Sequence, residues 1–160
     1  MGIATKIISI VMTAVLAFGM AGCGKTGKAG MPDVAELQKH KGDLLVIVSH
    51  PQEAMPPEEY EKAVARMSVT YDGYANNPNP FNNSKVKMPD DEYLRIYNFC
   101  NEVAADNRFA GYSEDICDGT TYTFTYYDTE GKAHVLYDGY CYDNKELQDI
   151  MKLIRKYSLD

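Results

Sequence analysis

Apolar positions recur along this chain with three spacings, and each predicts a different element. From Ile7 to Phe18 they run almost unbroken as I-I-S-I-V-M-T-A-V-L-A-F. Leu44-Leu45-Val46-Ile47-Val48 is a second, shorter run rich in β-branched residues. Its length and composition predict a strand buried on both faces. Thr120 to Tyr127 alternates: Tyr122, Phe124 and Tyr126 point one way, and Thr121, Thr123 and Thr125 the other. That period of two predicts a half-buried antiparallel strand. Two stretches carry the 3.6 period of an amphipathic helix. One is Tyr93, Ile96, Tyr97, Cys100, Val103 and Ala104, and the other is Leu147, Ile150, Met151 and Ile154.

Punctuation places the remaining elements. Pro32 to His40 reads as a short helix stopped by Gly42, with Val34 and Leu37 three apart. Pro51 and Pro56-Pro57 bound a loop, and Pro57 opens a helix over 58–66 with acids in its first turn and Arg66 in its last. Ser68 to Tyr74 reads as a strand with Val69 and Tyr71 on one face, and Asp72-Gly73 as a turn or bulge. Asn76 to Asn83 is the longest polar, proline-punctuated stretch and reads as a loop, followed by a brief strand over 85–88. Pro89 opens the first main helix, whose N-terminus is charged by Asp90, Asp91 and Glu92. A loop over 106–119 leads to the alternating strand. Asp128-Thr129-Glu130-Gly131 then turns the chain into a returning strand over 133–140. Asp143 to Glu146 forms a capping box for the last helix. The expected fold class is α+β: a small antiparallel sheet packed against two main helices, in a single domain over 31–160, with no internal repeat.

The N-terminal apolar run carries the strongest functional signal. Gly19 to Thr26, G-M-A-G-C-G-K-T, satisfies the phosphate-loop pattern G-x-x-x-x-G-K-[ST]. Such a loop must open directly into a helix, whereas Gly27, Gly30 and Pro32 follow. No later apolar strand ends in an Asp placed to hold the metal. A secretion signal accounts for the same letters. Lys6 and the chain amine form the positive flank, and Ile7 to Phe18 is an h-region too short for a membrane span. It ends in Met20-Ala21-Gly22-Cys23, which resembles a bacterial lipobox with Met in place of the usual Leu. The resemblance implies cleavage before Cys23, a diacylglycerol and further acyl chains such as palmitate on that residue, and residence on the extracytoplasmic face of a bacterial cell membrane. Residues 1–22 are then the signal, and 23–30 the lipidated cysteine with a flexible tether.

Composition narrows the partners. The chain carries 16 basic and 23 acidic residues, a net charge of −7. Every acid lies after the tether, so the domain is more acidic than the whole. That argues against nucleic acid and against electrostatic adhesion to anionic lipid, both of which need clustered Lys and Arg. The expected membrane contact is the lipid anchor alone. Besides Cys23 there are Cys100, Cys117 and Cys141. Cys100 falls on a helix's apolar stripe and reads as a small buried hydrophobe. Cys117 and Cys141 flank the predicted hairpin, whose ends meet, and are the expected disulfide, although sequence alone does not fix connectivity.

From Ser68 onward the order is strand, loop, brief strand, helix, hairpin, helix. The strand into Asp72-Gly73-Tyr74-Ala75, the Pro89 helix, the Tyr122-Thr123-Phe124-Thr125-Tyr126 strand and the closing helix together resemble emfourin, a small bacterial protease-inhibitor domain. The likeness covers a little over half of the chain. Its double Gly is Asp72-Gly73 here, and an additional helix and strand precede it. The resemblance implies an α+β topology and, as one alternative, an inhibitor-like role.

Catalytic chemistry has thin support. His40, His50 and His134 form neither H-x-x-x-H nor H-E-x-x-H, and no C-x-x-C or G-x-S-x-G occurs. Asp115 and Asp118 lack the calcium-loop ladder around them. No cofactor is expected. Thirteen tyrosines against no tryptophan is the remaining bias. Tyr packs half-exposed sheet faces, but it also offers large, stiff, amphipathic area for recognition. The candidate binding face is Tyr71, Tyr74, Phe81, Tyr122, Tyr126 and Tyr137, directed at a protein or glycan. Two readings follow. In the first the chain is a lipid-anchored binding or accessory module. In the second it is a small cell-envelope hydrolase, which requires a cleft joining His50 or His134 to Cys100 or to paired carboxylates.

Overall fold

A computed structural model describes residues 32–79, 82–117 and 119–157, apart from the side chains of 77–79 and 82–84. The signal, Cys23, the tether, Phe81 and Asp118 lie outside the described residues. Six strands form one antiparallel sheet: β1 (Asp43–Pro51), β2 (Ala65–Thr70), β3 (Tyr74–Asn79), β4 (Asn82–Lys87), β5 (Thr120–Tyr127) and β6 (Ala133–Gly139). Their spatial order is β4-β3-β2-β1-β5-β6. The helices are α1 (Val34–Leu37), α2 (Pro57–Ala63), α3 (Asp90–Asp106) and α4 (Lys145–Arg155). The expected α+β class is what forms. Among the described residues no helix is long and apolar enough to cross a membrane.

The continuous apolar run becomes an inner strand, where both edges are paired and its apolar side chains are buried. β1 pairs with β2 on one side and β5 on the other. Leu44, Leu45, Val46 and Ile47 are all buried. Leu45 and Ile47 sit beside Val69 and Met67 of β2 and Tyr126 and Phe124 of β5. Onto this face pack the stripes of α3 (Tyr93, Ile96, Phe99, Cys100, Val103) and α4 (Leu147, Ile150, Met151, Leu153, Ile154). Burial of each such side chain contributes about 2 kcal/mol relative to exposure, so the two helices carry much of the stability. The opposite face carries Val46, Ser68 and Thr125, which are register partners.

Several boundaries differ from the sequence expectation, each for a local reason. α2 stops at Ala63 and β2 begins at Ala65, because Met67 and Val69 are needed opposite Ile47 and Leu45. Arg66 therefore lies on a strand and pairs with Asp43 at 2.6 Å instead of closing a helix. The Asn/Pro stretch is a hairpin, not a loop: Asn76, Asn77, Pro78 and Asn79 face Lys85, Ser84, Asn83 and Asn82. A two-stranded polar arm at the sheet's edge has no apolar period to announce it, and an edge position tolerates proline. α4 is capped by Asn144, whose side chain accepts the Leu147 N–H at 3.1 Å, one residue later than the expected box. β6 has a bulge opposite Phe124/Thr125, which lets the adjacent Leu136 and Tyr137 both be buried.

Candidate functional site

The expected tyrosine face is divided by the sheet. Tyr71, Tyr126 and Tyr137 are buried in the core, 1%, 4% and 3% exposed, and cannot meet a partner. Their hydroxyls are spent inside the domain. Tyr71 donates to the Tyr127 carbonyl at 2.8 Å, Tyr126 to Asn101 Oδ1 at 3.0 Å, and Tyr137 to the Tyr140 carbonyl. Burial pushes the phenol of Tyr71 well above its ordinary value, with neighbouring Tyr126 adding to it. For Tyr126 the reason is that the alternating strand turns its aromatic side, not its threonine side, toward the core. Tyr122 is half-buried against the core. Tyr74 stands next to a concavity, its ring 4.7 Å from the ammonium of Lys85, which lines it.

That concavity is built from turns. Gly42 ends the α1–β1 connection and accepts the Tyr71 N–H through its carbonyl at 3.0 Å, so the connection and the β2–β3 turn are tied together. Gly73 closes the turn by donating to the Thr70 carbonyl at 2.9 Å, with φ of +79°. A Cβ at Gly73 would lie 2.9 Å from Lys87 Nζ and 3.1 Å from Gln38 Nε2. The glycine therefore does two jobs: it adopts the left-handed conformation, and it lets two polar side chains cross the turn. Behind it, Tyr93 donates to the Tyr71 carbonyl at 3.0 Å, and the His40 ring lies 5.4 Å from the Tyr71 ring.

Gln38, Lys39, His40, Lys41, Gly42, Asp43, Thr70, Asp72 and Lys85 line the resulting cleft of about 480 Å³. β4 brings Lys85 to its lining, with Lys87 next to it on the Asp72 carbonyl. Tyr74 faces Lys87 across the β3–β4 ladder, and the two ammonium groups stand 4.7 Å and 5.1 Å from its ring centroid. Asp72 holds the cluster together. Its carboxylate takes a hydrogen bond from the Thr70 hydroxyl and an ion pair from Lys85 at 3.5 Å, and its carbonyl accepts from Lys87. Burial pushes this carboxyl up, but the Thr70 and Lys85 bonds outweigh it and hold its pKa below the ordinary value.

Among the described residues, Cys100, His50 and His134 are each engaged separately. Cys100 is fully buried, and burial pushes its thiol far above the ordinary range, which leaves it un-ionised and unreactive. His134 Nε2 bonds Asp128 Oδ2 at 2.8 Å and stacks on Tyr126 at 5.7 Å, where it fastens the β5–β6 hairpin. His50 meets the Tyr60 hydroxyl at 3.4 Å near the other end of β1. Among the described residues no group of three or more His, Cys, Asp or Glu could hold a metal ion. Asp115 is exposed.

The expected Cys117–Cys141 disulfide is not made: both thiols are free, as is Cys100. The hairpin ends do meet, with Tyr122 opposite Gly139. Past Gly139 the chain turns Cys141 into the core, fully buried, whereas Cys117 stays exposed. Tyr142 occupies the intervening surface, its hydroxyl accepting the Thr120 N–H at 2.9 Å.

Compared with protein-family models, curated proteins and solved structures, the chain matches none.

Proposed function

We propose that this chain is a lipid-anchored binding module of the bacterial extracytoplasmic surface, and that it takes its ligand in the cleft beside Tyr74. The observation that carries this reading is the convergence of Lys39, Lys41 and Lys85 on one open concavity of about 480 Å³, with the Tyr74 ring behind Lys85 at 4.7 Å from its ammonium. Its walls are turns fixed by a rigid sheet, where recognition is most often carried. The lipobox-like Met20-Ala21-Gly22-Cys23 supplies the anchor. The described hydrolytic candidates, Cys100, His50 and His134, are each engaged elsewhere, which favours binding over turnover.

Two measurements on the full chain in its native membrane test this reading. Labelling with a fatty acid should mark the chain and fail on Cys23→Ser; label retained by that variant sinks the anchor. A photo-crosslinking residue at position 74 should give a discrete adduct that the same residue at Val135, exposed on β6 away from the cleft, does not. Equal adducts from the two positions would refute the cleft.

A further inference from the structure

We propose that the group recognised in this cleft is a phosphate; the inference rests on the binding-module reading above. The charge balance points there. In a chain of net charge −7, Lys39, Lys41 and Lys85 line one cleft, Lys87 stands next to it on the carbonyl of the lining Asp72, and Arg66 pairs with the lining Asp43. Some of that charge is already matched. Lys39 pairs with Glu36, and Arg66 holds Asp43 at 2.6 Å. Lys85 reaches Asp72 only at 3.5 Å, a long contact between half-exposed groups. Lys87 has a backbone carbonyl and a ring face for partners, not a carboxylate. Lys41 has no ion-pair partner among the described residues. The cleft therefore holds positive charge that the domain itself leaves unmatched.

The donor geometry selects the type of anion. A planar carboxylate is best met by the flat fork of an arginine, and the one arginine nearby is committed to Asp43. The free donors are instead ammonium groups, compact point charges on flexible stems. They approach from two directions, the α1–β1 connection and β4. Point charges from opposite walls suit a tetrahedral anion whose oxygens face several ways. Gln38 Nε2, held against Gly73, adds a neutral donor on the same turn.

Position supplies the ligand's sources. Pro32 immediately precedes the Asp33 cap of α1, and the cleft begins at Gln38. From Cys23 to Pro32 an extended chain spans at most ~30 Å. An anchored domain thus keeps this cleft within reach of the phosphate layer of its own membrane, although net charge alone argued against such contact. The phosphate is carried either by a lipid headgroup or by a soluble phosphate compound of the envelope.

The test uses the full chain reconstituted in nanodiscs of digalactosyldiacylglycerol, a bilayer lipid without phosphate, read by backbone amide shifts. Inorganic phosphate titrated into these discs should shift Lys41, Gly42 and Gly73 while leaving Tyr142 to Asn144 unmoved. Discs that include phosphatidylglycerol should produce the same shifts without added phosphate if the headgroup is the source. Shifts from inorganic phosphate alone assign a soluble compound, and either result supports the phosphate site. Lys41→Glu should weaken the response at least tenfold without changing the melting temperature, and Lys87→Glu should do the same from the opposite wall. No shift at these residues with either probe, or undiminished binding by both variants, overturns the proposal. If the position-74 adduct persists in that case, the cleft binds something other than phosphate and the module reading stands.

Discussion

Glu114 offers the sharpest test of how the long loop between α3 and β5 is held. Its carboxylate accepts the backbone N–H groups of Tyr142 at 2.6 Å, Asp143 at 3.1 Å and Asn144 at 3.2 Å, and the Tyr112 hydroxyl at 2.7 Å. These donors lead into the N-terminus of α4, where a negative charge also opposes the positive end of the helix dipole. A hydrogen bond to a charged group contributes about 1.5–3 kcal/mol when shielded from water. Tyr142 and Asp143 are exposed, so water replaces part of what is lost and screens the charge. Four such bonds then sum to about 2–3 kcal/mol for Glu114→Ala, a fall in melting temperature of roughly 10 °C. Charge dependence separates this from loss of packing. Burial raises the Glu114 carboxyl, but the Tyr112 hydroxyl and the three N–H groups outweigh it, and its pKa lies below the ordinary 4.5. A depressed folded-state pKa gives stability that is complete above that ordinary value and is lost as pH falls through the folded one. The gap in melting temperature between the natural chain and Glu114→Gln should therefore be largest at pH 7 and close as the pH drops below 4. A gap of equal size at pH 7 and pH 3 would refute the electrostatic account. No loss in either variant would show that the loop is not anchored there.

Two further outcomes follow from burial. In the folded Cys23→Ser chain one thiol, Cys117, should react promptly with an aromatic disulfide reagent, while Cys141, pushed up to about 12 by burial, and Cys100 react only on unfolding; a Cys117–Cys141 peptide found by mass mapping without reductant would contradict this. Tyr71→Phe should lower stability by about 1–2 kcal/mol in chemical denaturation, because the Tyr127 carbonyl loses its bond, whereas Tyr74→Phe should stay within about 0.5 kcal/mol.

The elements that the sequence made legible are those whose apolar period serves a single large core. Leu44 to Ile47, Tyr122 to Tyr126 and the stripes of α3 and α4 all bury side chains in one cluster, so their spacing is under strong constraint. The β3–β4 hairpin was not legible. Its ladder is held by backbone bonds between polar residues, and backbone bonding leaves no signature in side-chain identity. The start of β2 was hidden for a related reason. Arg66 fits a helix C-terminus as well as a strand, and only the demand of Ile47 for a partner at Met67 decides between them.

Direction, which composition does not carry, separates the buried tyrosines from the lysines that line the cleft. The alternation puts Tyr122, Phe124 and Tyr126 on one face of a strand, but the pattern does not say which face the helices cover. Tyr126 is core for that reason, and Tyr71 and Tyr137, which lie off that strand, are core as well. The lysines that build the cleft left a fainter trace. Lys85 and Lys87 are two apart, so a strand there must put both on one side, and Lys39 and Lys41 bracket His40 just before a glycine. Either pair alone is an ordinary solvated surface. Their convergence depends on two contacts with no sequence signal, the Tyr71 N–H to Gly42 bond and the pairing of β3 with β4. Net charge then concealed the result, since an acidic total describes the sum over the domain and not the potential inside one cleft. The same dependence sets how the cleft would be lost. Replacing Gly73 by Ala brings a Cβ to 2.9 Å from Lys87 Nζ at a φ of +79°, so the turn must distort or Lys87 must leave, and either change removes one wall of the cationic site while the core around Leu45 and Ile47 stays intact.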